Sequence, residues 1–198
     1  IYTSGSTGVP KGVVLTHRNI EANTRSILGY LPVKRGDRML TVLPFYYSYG
    51  LSLLHTHLRA GASMVFCNTF IMTGTVLRML EEYCCTAFAG VPSHFQILLR
   101  KAKSFVSRDF PCLRYVTQAG GKLDPIFIDE FRQAHPGVTF YVMYGQTEGS
   151  ARLSYLPPER LAGELRGEHR VLRRSGPKRA AGRACRFYSH SRAPFFHS

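Results

Sequence analysis

Short apolar runs alternate with helical patterns from Ile1 to about Leu161. Val13-Val14-Leu15 reads as a strand, and Thr16 is placed to cap a helix that runs to about Leu28 and is closed off by Pro32. Met39–Leu43 predicts a strand ending at Pro44, and Gly50–Leu58 a helix stopped by Gly61. Ser63–Phe66 and Thr86–Val91 predict further strands, with a helix over Thr75–Tyr83 between them and another opened by Pro92 and running to about Lys101. Arg114–Thr117 is a strand leading into Ala119-Gly120-Gly121. Asp124-Pro125 pairs an N-cap with a proline at the first helical position, and Val138–Met143 is the next strand. Strand and helix alternating at this spacing predict βαβ units, hence an α/β fold with a mostly parallel sheet. Ligands of such sheets sit at the carboxyl ends of the strands, where the glycine-rich turns of this chain fall.

The pattern stops near Leu161. From Gly163 onward the chain lacks Asp, Ile, Met, Asn, Gln and Thr, and no apolar period survives. Two regions are therefore expected, a folded one over 1–161 and a basic tail over 162–198. The tail reads either as a disordered arm for nucleic acid or as an out-of-frame segment never selected to fold. Composition favours the second, because Pro157-Pro158-Glu159-Arg160-Leu161 looks like the start of a folded segment that then dissolves.

The apolar fraction of 44% belongs to a globular chain. A net charge of +14 would ordinarily suggest a nucleic acid or an anionic surface as partner. Residues 163–198, however, hold nine Lys/Arg against two Glu, so half of that excess lies in the tail, and nucleic acid is not the expected partner of the folded region. No apolar run is long enough to span a bilayer, and Ile1 is not followed by a basic-then-apolar leader. The five cysteines have no CxxC spacing and are odd in number, which suits buried thiols in a reducing cytoplasmic compartment.

Candidate chemistry begins at residues 2–12, Tyr-Thr-Ser-Gly-Ser-Thr-Gly-Val-Pro-Lys-Gly. Glycines let such a loop turn backbone N–H groups inward around an anion, the hydroxyls add hydrogen bonds, and Lys11 adds a compact cation. It is not a Walker A loop, since counting from Gly5 puts Pro10 where the second glycine belongs. Tyr144-Gly145-Gln146-Thr147-Glu148 follows a predicted strand and offers an aromatic face, a tight turn, a hydroxyl and a carboxylate, a combination suited to adenine and Mg²⁺.

The loop at 2–12, continued by Val14-Leu15-Thr16-His17-Arg18-Asn19, closely resembles the signature of the adenylate-forming (AMP-binding) superfamily, which includes acyl-CoA synthetases, luciferase-like enzymes and peptide-synthetase adenylation domains. The resemblance implies part of the large N-terminal domain of that fold. It also implies ATP-dependent activation of a carboxylic acid to an acyl-adenylate, then transfer to a thiol such as coenzyme A, with ATP and Mg²⁺ required. It assigns Thr3, Ser4, Gly5, Ser6, Thr7, Gly8 and Lys11 to the β- and γ-phosphates. Tyr144 would stack on adenine within the turn Tyr144-Gly145-Gln146, Thr147 would contact the α-phosphate, and Glu148 would bind Mg²⁺. Lys11, Thr147 and Glu148 are thus the expected catalytic groups.

Ala119-Gly120-Gly121 resembles the family's adenine and acyl-site turn, and Leu43-Pro44-Phe45-Tyr46-Tyr47-Ser48-Tyr49-Gly50 its carboxylate-pocket segment. Tyr47, Ser93 and Gly120 are the expected pocket residues; many relatives carry histidine where Tyr47 stands. Gln146, where peptide synthetases usually have proline, and the lack of aspartate between Asp37 and Asp109 argue for an acid without an α-amino group. The family's later ribose-binding Asp, its Arg, its hinge and its C-terminal lysine are not recognisable after Arg160, so the chain by itself is expected not to turn over. A non-catalytic nucleotide-binding module is the alternative, and nucleic-acid binding through the tail a further one.

Overall fold

The computed structural model describes residues 1–3, 10–161 and the backbone of 173–174. Residues 4–9, the heart of the glycine loop, and most of the tail lie outside the described residues.

Two short strands, β1 (Tyr2–Thr3) and β2 (Lys11–Gly12), pair antiparallel with Thr3 opposite Lys11. The Val13 N–H extends the ladder to the Ile1 carbonyl at 2.7 Å. The expected strand over Val13–Leu15 is not formed as such: the ladder ends at Val13, and Val14 stands 90% exposed. Thr16 caps α1 (His17–Leu28) as expected, its Oγ1 accepting from the Asn19 N–H at 3.1 Å while Asn19 Oδ1 accepts from the Thr16 N–H at 3.0 Å.

The main sheet contains β3 (Arg38–Thr41), β4 (Ser63–Phe66), β5 (Ala87–Gly90), β6 (Tyr115–Gln118), β7 (Thr139–Tyr144), β8 (Ser154–Leu156) and β9 (Arg173–Arg174), in the order β4-β3-β5-β6-β7-β8-β9. The first five of these run parallel; β8 and β9 close one edge antiparallel. The connecting helices are α2 (Ser48–Ala60), α3 (Thr73–Glu82), α4 (Pro92–Lys101), the short α5 (Lys103–Ser107) and α6 (Pro125–Ala134). Strands β4, β5, β6 and β7 and helices α2 and α4 lie within a residue or two of their expected bounds, and α6 starts at Pro125 as expected. β8 and α5 had no counterpart in the apolar pattern, since each is too short to show a period.

Alternation along the strands sorts the core into two layers. Leu40, Phe88, Val116 and Phe140 stand in register across four strands and face α3–α6, where Phe95, buried completely, rings with Phe88, Phe131 and Phe140. Met39, Ala87, Ala89, Tyr115 and Tyr141 point the other way, onto Ile27 of α1 and Leu53 of α2. Small residues on β5 at this second face let α1 and α2 lie close to the sheet. At the amino ends of the strands, the Asp37 carboxylate accepts from the Lys34 N–H at 2.7 Å and from the Arg114 guanidinium at 2.5 Å, tying the turn before β3 to β6. The carboxyl ends therefore remain the side where loops converge.

Candidate nucleotide and acid site

Three turns meet at the carboxyl edge of the sheet. The segment after β3 bends into α2, whose first turn is Ser48-Tyr49-Gly50. The segment after β6 is Ala119-Gly120-Gly121, where Gly120 has φ +85° and a β-carbon would sit 3.1 Å from Val91 Cγ1. Gln118, fully buried, donates from Nε2 to the Gly121 carbonyl at 2.8 Å and so fixes this turn from beneath. After β7 the chain enters Gly145-Gln146 and a single 3₁₀ turn, Thr147–Gly149.

These turns enclose an open cavity of about 330 Å³ lined by Leu43, Tyr47, Ser48, Tyr49, Gly50, Val91, Ala119, Gly120, Gly145, Gln146, Thr147, Ala151 and Arg152. Among the residues expected from sequence, Tyr47, Gly120, Gly145, Gln146 and Thr147 are thus brought to one wall. Thr147 Oγ1 lies 3.3 Å from Ser48 Oγ, which joins the turn after β7 to the start of α2. Tyr49 donates its hydroxyl to the Thr117 carbonyl at 3.0 Å. Burial pushes its phenol up to about 12, opposed by the Arg152 guanidinium, so it serves as a neutral donor and wall.

Other expected residues lie elsewhere. Ser93 is exposed at the start of α4 and is not on this wall; Val91, two residues earlier, is. Gly121 shapes the turn without lining the cavity. Tyr144, at the end of β7, keeps 38% of its surface exposed, and Glu148 is exposed and does not line the cavity, although Thr147 before it does. Thr3 is half-buried and Lys11 exposed, held opposite each other where the glycine loop leaves and rejoins the hairpin. Ile1, Ser48, Ser150 and Ala151 share a small recess, which sets the base of that hairpin against the turn after β7. Ser4, Gly5, Ser6, Thr7 and Gly8 fall outside the described residues.

Sequence reasoning missed Arg152. Only 1% of it is exposed, and it donates from Nε to Ser52 Oγ at 3.2 Å and stacks over the Tyr49 ring at 5.1 Å. The available signal was a lone arginine between Ala151 and Leu153, ahead of the apolar positions of β8.

For a metal, no group of three or more His, Cys, Asp or Glu among the described residues could form a cage. One exposed carboxylate, Glu148, next in sequence to the cavity-lining Thr147, suits a hard divalent ion that keeps water and phosphate oxygens as its other ligands. The donor set therefore fits Mg²⁺.

A cavity at the carboxyl edge of a parallel sheet is shared by several families, so the match of the sequence to a family model decides between them. The family model described as AMP-binding enzyme covers residues 1–175. This chain belongs to the AMP-binding enzyme family. It is similar to 4-coumarate–CoA ligase 2 of Oryza sativa subsp. japonica, 36% identical over 163 residues, covering 79% of this chain and 28% of that protein. It is similar also to tyrocidine synthase 3 of Brevibacillus parabrevis, 32% identical over 165 residues, covering 82% of this chain and 2% of that protein. Among solved structures, O-succinylbenzoate coenzyme A synthetase of Bacillus subtilis, in complex with ATP and magnesium ion, superposes with a TM-score of 0.73 at 28% identity, covering 83% of this chain and 33% of that one. The chain thus spans about 28% of the length of the coumarate–CoA ligases it matches. The family's α/β architecture with a mostly parallel sheet is the one described above. No helix among the described residues is long and apolar enough to cross a membrane.

Proposed function

We propose that this chain carries the nucleotide-gripping part of an acid–thiol ligase, with residues 1–161 as a partial AMP-binding domain. The ligase activates a carboxylic acid with ATP and passes the acyl group to a thiol, by likeness that of coenzyme A. The observation that carries the reading is the meeting of Thr147, Gly120 and the start of α2 around one cavity at the carboxyl edge of the sheet.

In the first half-reaction a carboxylate oxygen of the acid attacks the α-phosphorus of ATP, and the bond to pyrophosphate breaks. Negative charge moves onto phosphate oxygens, so positioned donors are what the protein must supply. Thr147 and Ser48 offer hydroxyls from adjoining turns to the α-phosphate. Lys11, with Thr3 and the loop from Ser4 to Gly8, offers a cation and donors to the β- and γ-phosphates. Tyr144 offers a ring face to adenine, beside Gly145, Gln146 and the Gly120-Gly121 turn. Glu148 would hold Mg²⁺, which when bound neutralises charge on the phosphate oxygens. Tyr47, Tyr49 and Gly120 wall the acid, with Ser93 at the start of α4 as an outer contact; the absence of an aspartate in this stretch favours an acid without an α-amino group. In the second half-reaction the thiol sulfur attacks the acyl carbon, AMP leaves, and the thiol proton passes to solvent.

Equilibrium dialysis with ATP, with and without Mg²⁺, tests the nucleotide half. Binding should need Mg²⁺ and weaken about ten-fold or more in Glu148→Gln or Lys11→Ala, the loss of one charge-assisted contact. No ATP binding at millimolar concentration would overturn the reading. For the chemistry, residues 1–161 are exchanged into a full-length coumarate–CoA ligase and acid-dependent pyrophosphate release is measured. Release supports a ligase; ATP binding without release in that chimera marks a non-catalytic nucleotide module instead. The 198-residue chain alone is expected to release none.

A further inference from the structure

We propose that Arg152 is the positioning residue that clamps the turn bearing Thr147 onto α2, holding a strained backbone in the shape the cavity needs. The inference rests on the reading of Thr147 as a nucleotide contact.

The turn is strained at its far end. Ser150 has φ 60° and Ala151 φ 98°, two successive residues with β-carbons in the left-handed region. Such backbone persists only where its surroundings over-determine it. Inside the turn the Gly149 N–H donates to the Gln146 carbonyl at 3.0 Å, the Ser150 N–H to the Thr147 carbonyl at 3.0 Å and the Ala151 N–H to the Gln146 carbonyl at 3.3 Å, and at its base the Leu153 N–H donates to the Tyr144 carbonyl at 2.9 Å; none of these ties the turn to α2.

Arg152 is the next residue, and it touches three other elements. Its carbonyl accepts from Asn23 Nδ2 of α1 at 2.7 Å. Its guanidinium donates from Nε to Ser52 Oγ of α2 and from Nη1 to Met143 Sδ of β7 at 3.6 Å, and packs over Tyr49. Ser48 and Ser52 lie four residues apart on α2 and therefore share one face. Thr147 docks on the first and Arg152 on the second. Both ends of the strained turn are thus laid along a single stripe of α2, and α2 is the ruler that sets where Thr147 sits. The planar guanidinium makes the ring contact and the directed N–H bond together, which a lysine ammonium does not.

The test is hydrogen exchange over residues 144–153 in Arg152→Met, Arg152→Met/Ala151→Gly and Arg152→Lys, read without nucleotide. If the arginine holds a strained turn, Arg152→Met speeds exchange at the Gly149–Leu153 amides by about ten-fold or more while β5 and β6 keep their protection. Ala151→Gly removes the strain, so the double variant returns to within about three-fold of the parent chain. Arg152→Lys should resemble Arg152→Met. Faster exchange spread evenly over the sheet, no change, or no recovery on adding Ala151→Gly each overturns the clamp. If Arg152→Met does not fold, Arg152→Gln is read in the same way, with and without Ala151→Gly. Mg-ATP affinity is then measured on the same set and should fall and recover with the exchange rates; affinity unchanged while exchange responds would remove the positioning role. Absence of ATP binding by the parent chain would count against the proposed function alone, because the exchange readout uses no nucleotide.

Discussion

Replacing Gly145 by alanine places a β-carbon 1.6 Å from the carbonyl oxygen of Ala151, 2.7 Å from its carbonyl carbon and 3.0 Å from the Cα of Arg152. All three neighbours are backbone, so no rotamer change relieves the contact. To reach an ordinary separation of about 3.2 Å the two sides of the turn must part by about 1.5 Å. That opening stretches two hydrogen bonds, from the Ala151 N–H to the Gln146 carbonyl at 3.3 Å and from the Leu153 N–H to the Tyr144 carbonyl at 2.9 Å. Each contributes about 0.5–1.5 kcal/mol net, and the crowding itself costs about 1–3 kcal/mol, for a total of about 2–6 kcal/mol. In a chain of this size even the lower end lowers Tm by about 4 °C or more. Gly137→Ala is the control, since nothing lies within 4 Å of its β-carbon position. The chain has no tryptophan, so urea denaturation is followed by far-ultraviolet circular dichroism. Gly145→Ala falling within about 0.5 kcal/mol of Gly137→Ala would refute the reasoning. Mg-ATP binding, measured in parallel, should be lost before the fold is.

Three further outcomes are expected. Phe95→Ala empties the centre of the ring cluster against Phe88, Phe131 and Phe140 and should destabilise by about 3–5 kcal/mol in the same urea titration. Thr16→Ala removes the α1 cap and should cost about 1 kcal/mol, read as faster exchange at the amides of the first turn of α1 with β6 unchanged. Burial lowers His94 to about 4, and its Nδ1 accepts from the Val91 N–H at 3.3 Å, so the folded state holds the ring neutral while the unfolded chain protonates it below about 6.5. Its contribution is therefore complete above about pH 6.5 and is lost as pH falls toward 4; His94→Gln should flatten the stability–pH curve in that window, and an unchanged slope would contradict the assignment.

Much of the fold was legible along the chain because the features that carry it are local. Asp124-Pro125 and Thr16 start helices by their own hydrogen-bonding chemistry, and Gly61 ends α2 in the left-handed conformation. Ala87–Gly90 is buried on both faces and shows as a continuous apolar run, as central parallel strands do, while Tyr115–Gln118 is as fully buried although Thr117 and Gln118 are polar. Val13–Leu15 misled for a matching reason: the run is apolar, but a strand needs a hydrogen-bonding partner, and the hairpin ladder ends at Val13 with Val14 exposed.

The glycine loop and Tyr144–Glu148 were recognisable because each motif is contiguous in sequence, and the family they resemble is the one whose model matches the chain. Which residues share a wall was a different matter. Ser48 and Thr147 are 99 positions apart and meet only because α2 and the turn after β7 converge at one edge of the sheet. Ser93, two residues from Val91, is exposed and off the cavity lining, since α4 has begun by then. Arg152 was not singled out along the chain; its burial follows from the antiparallel return of β8, which carries the residue beneath α1 and α2. Sequence determined what chemistry is available, because side-chain type and local backbone preference are local properties. Tertiary structure decided which of those groups act together, because distance between remote residues is set only by how layers pack.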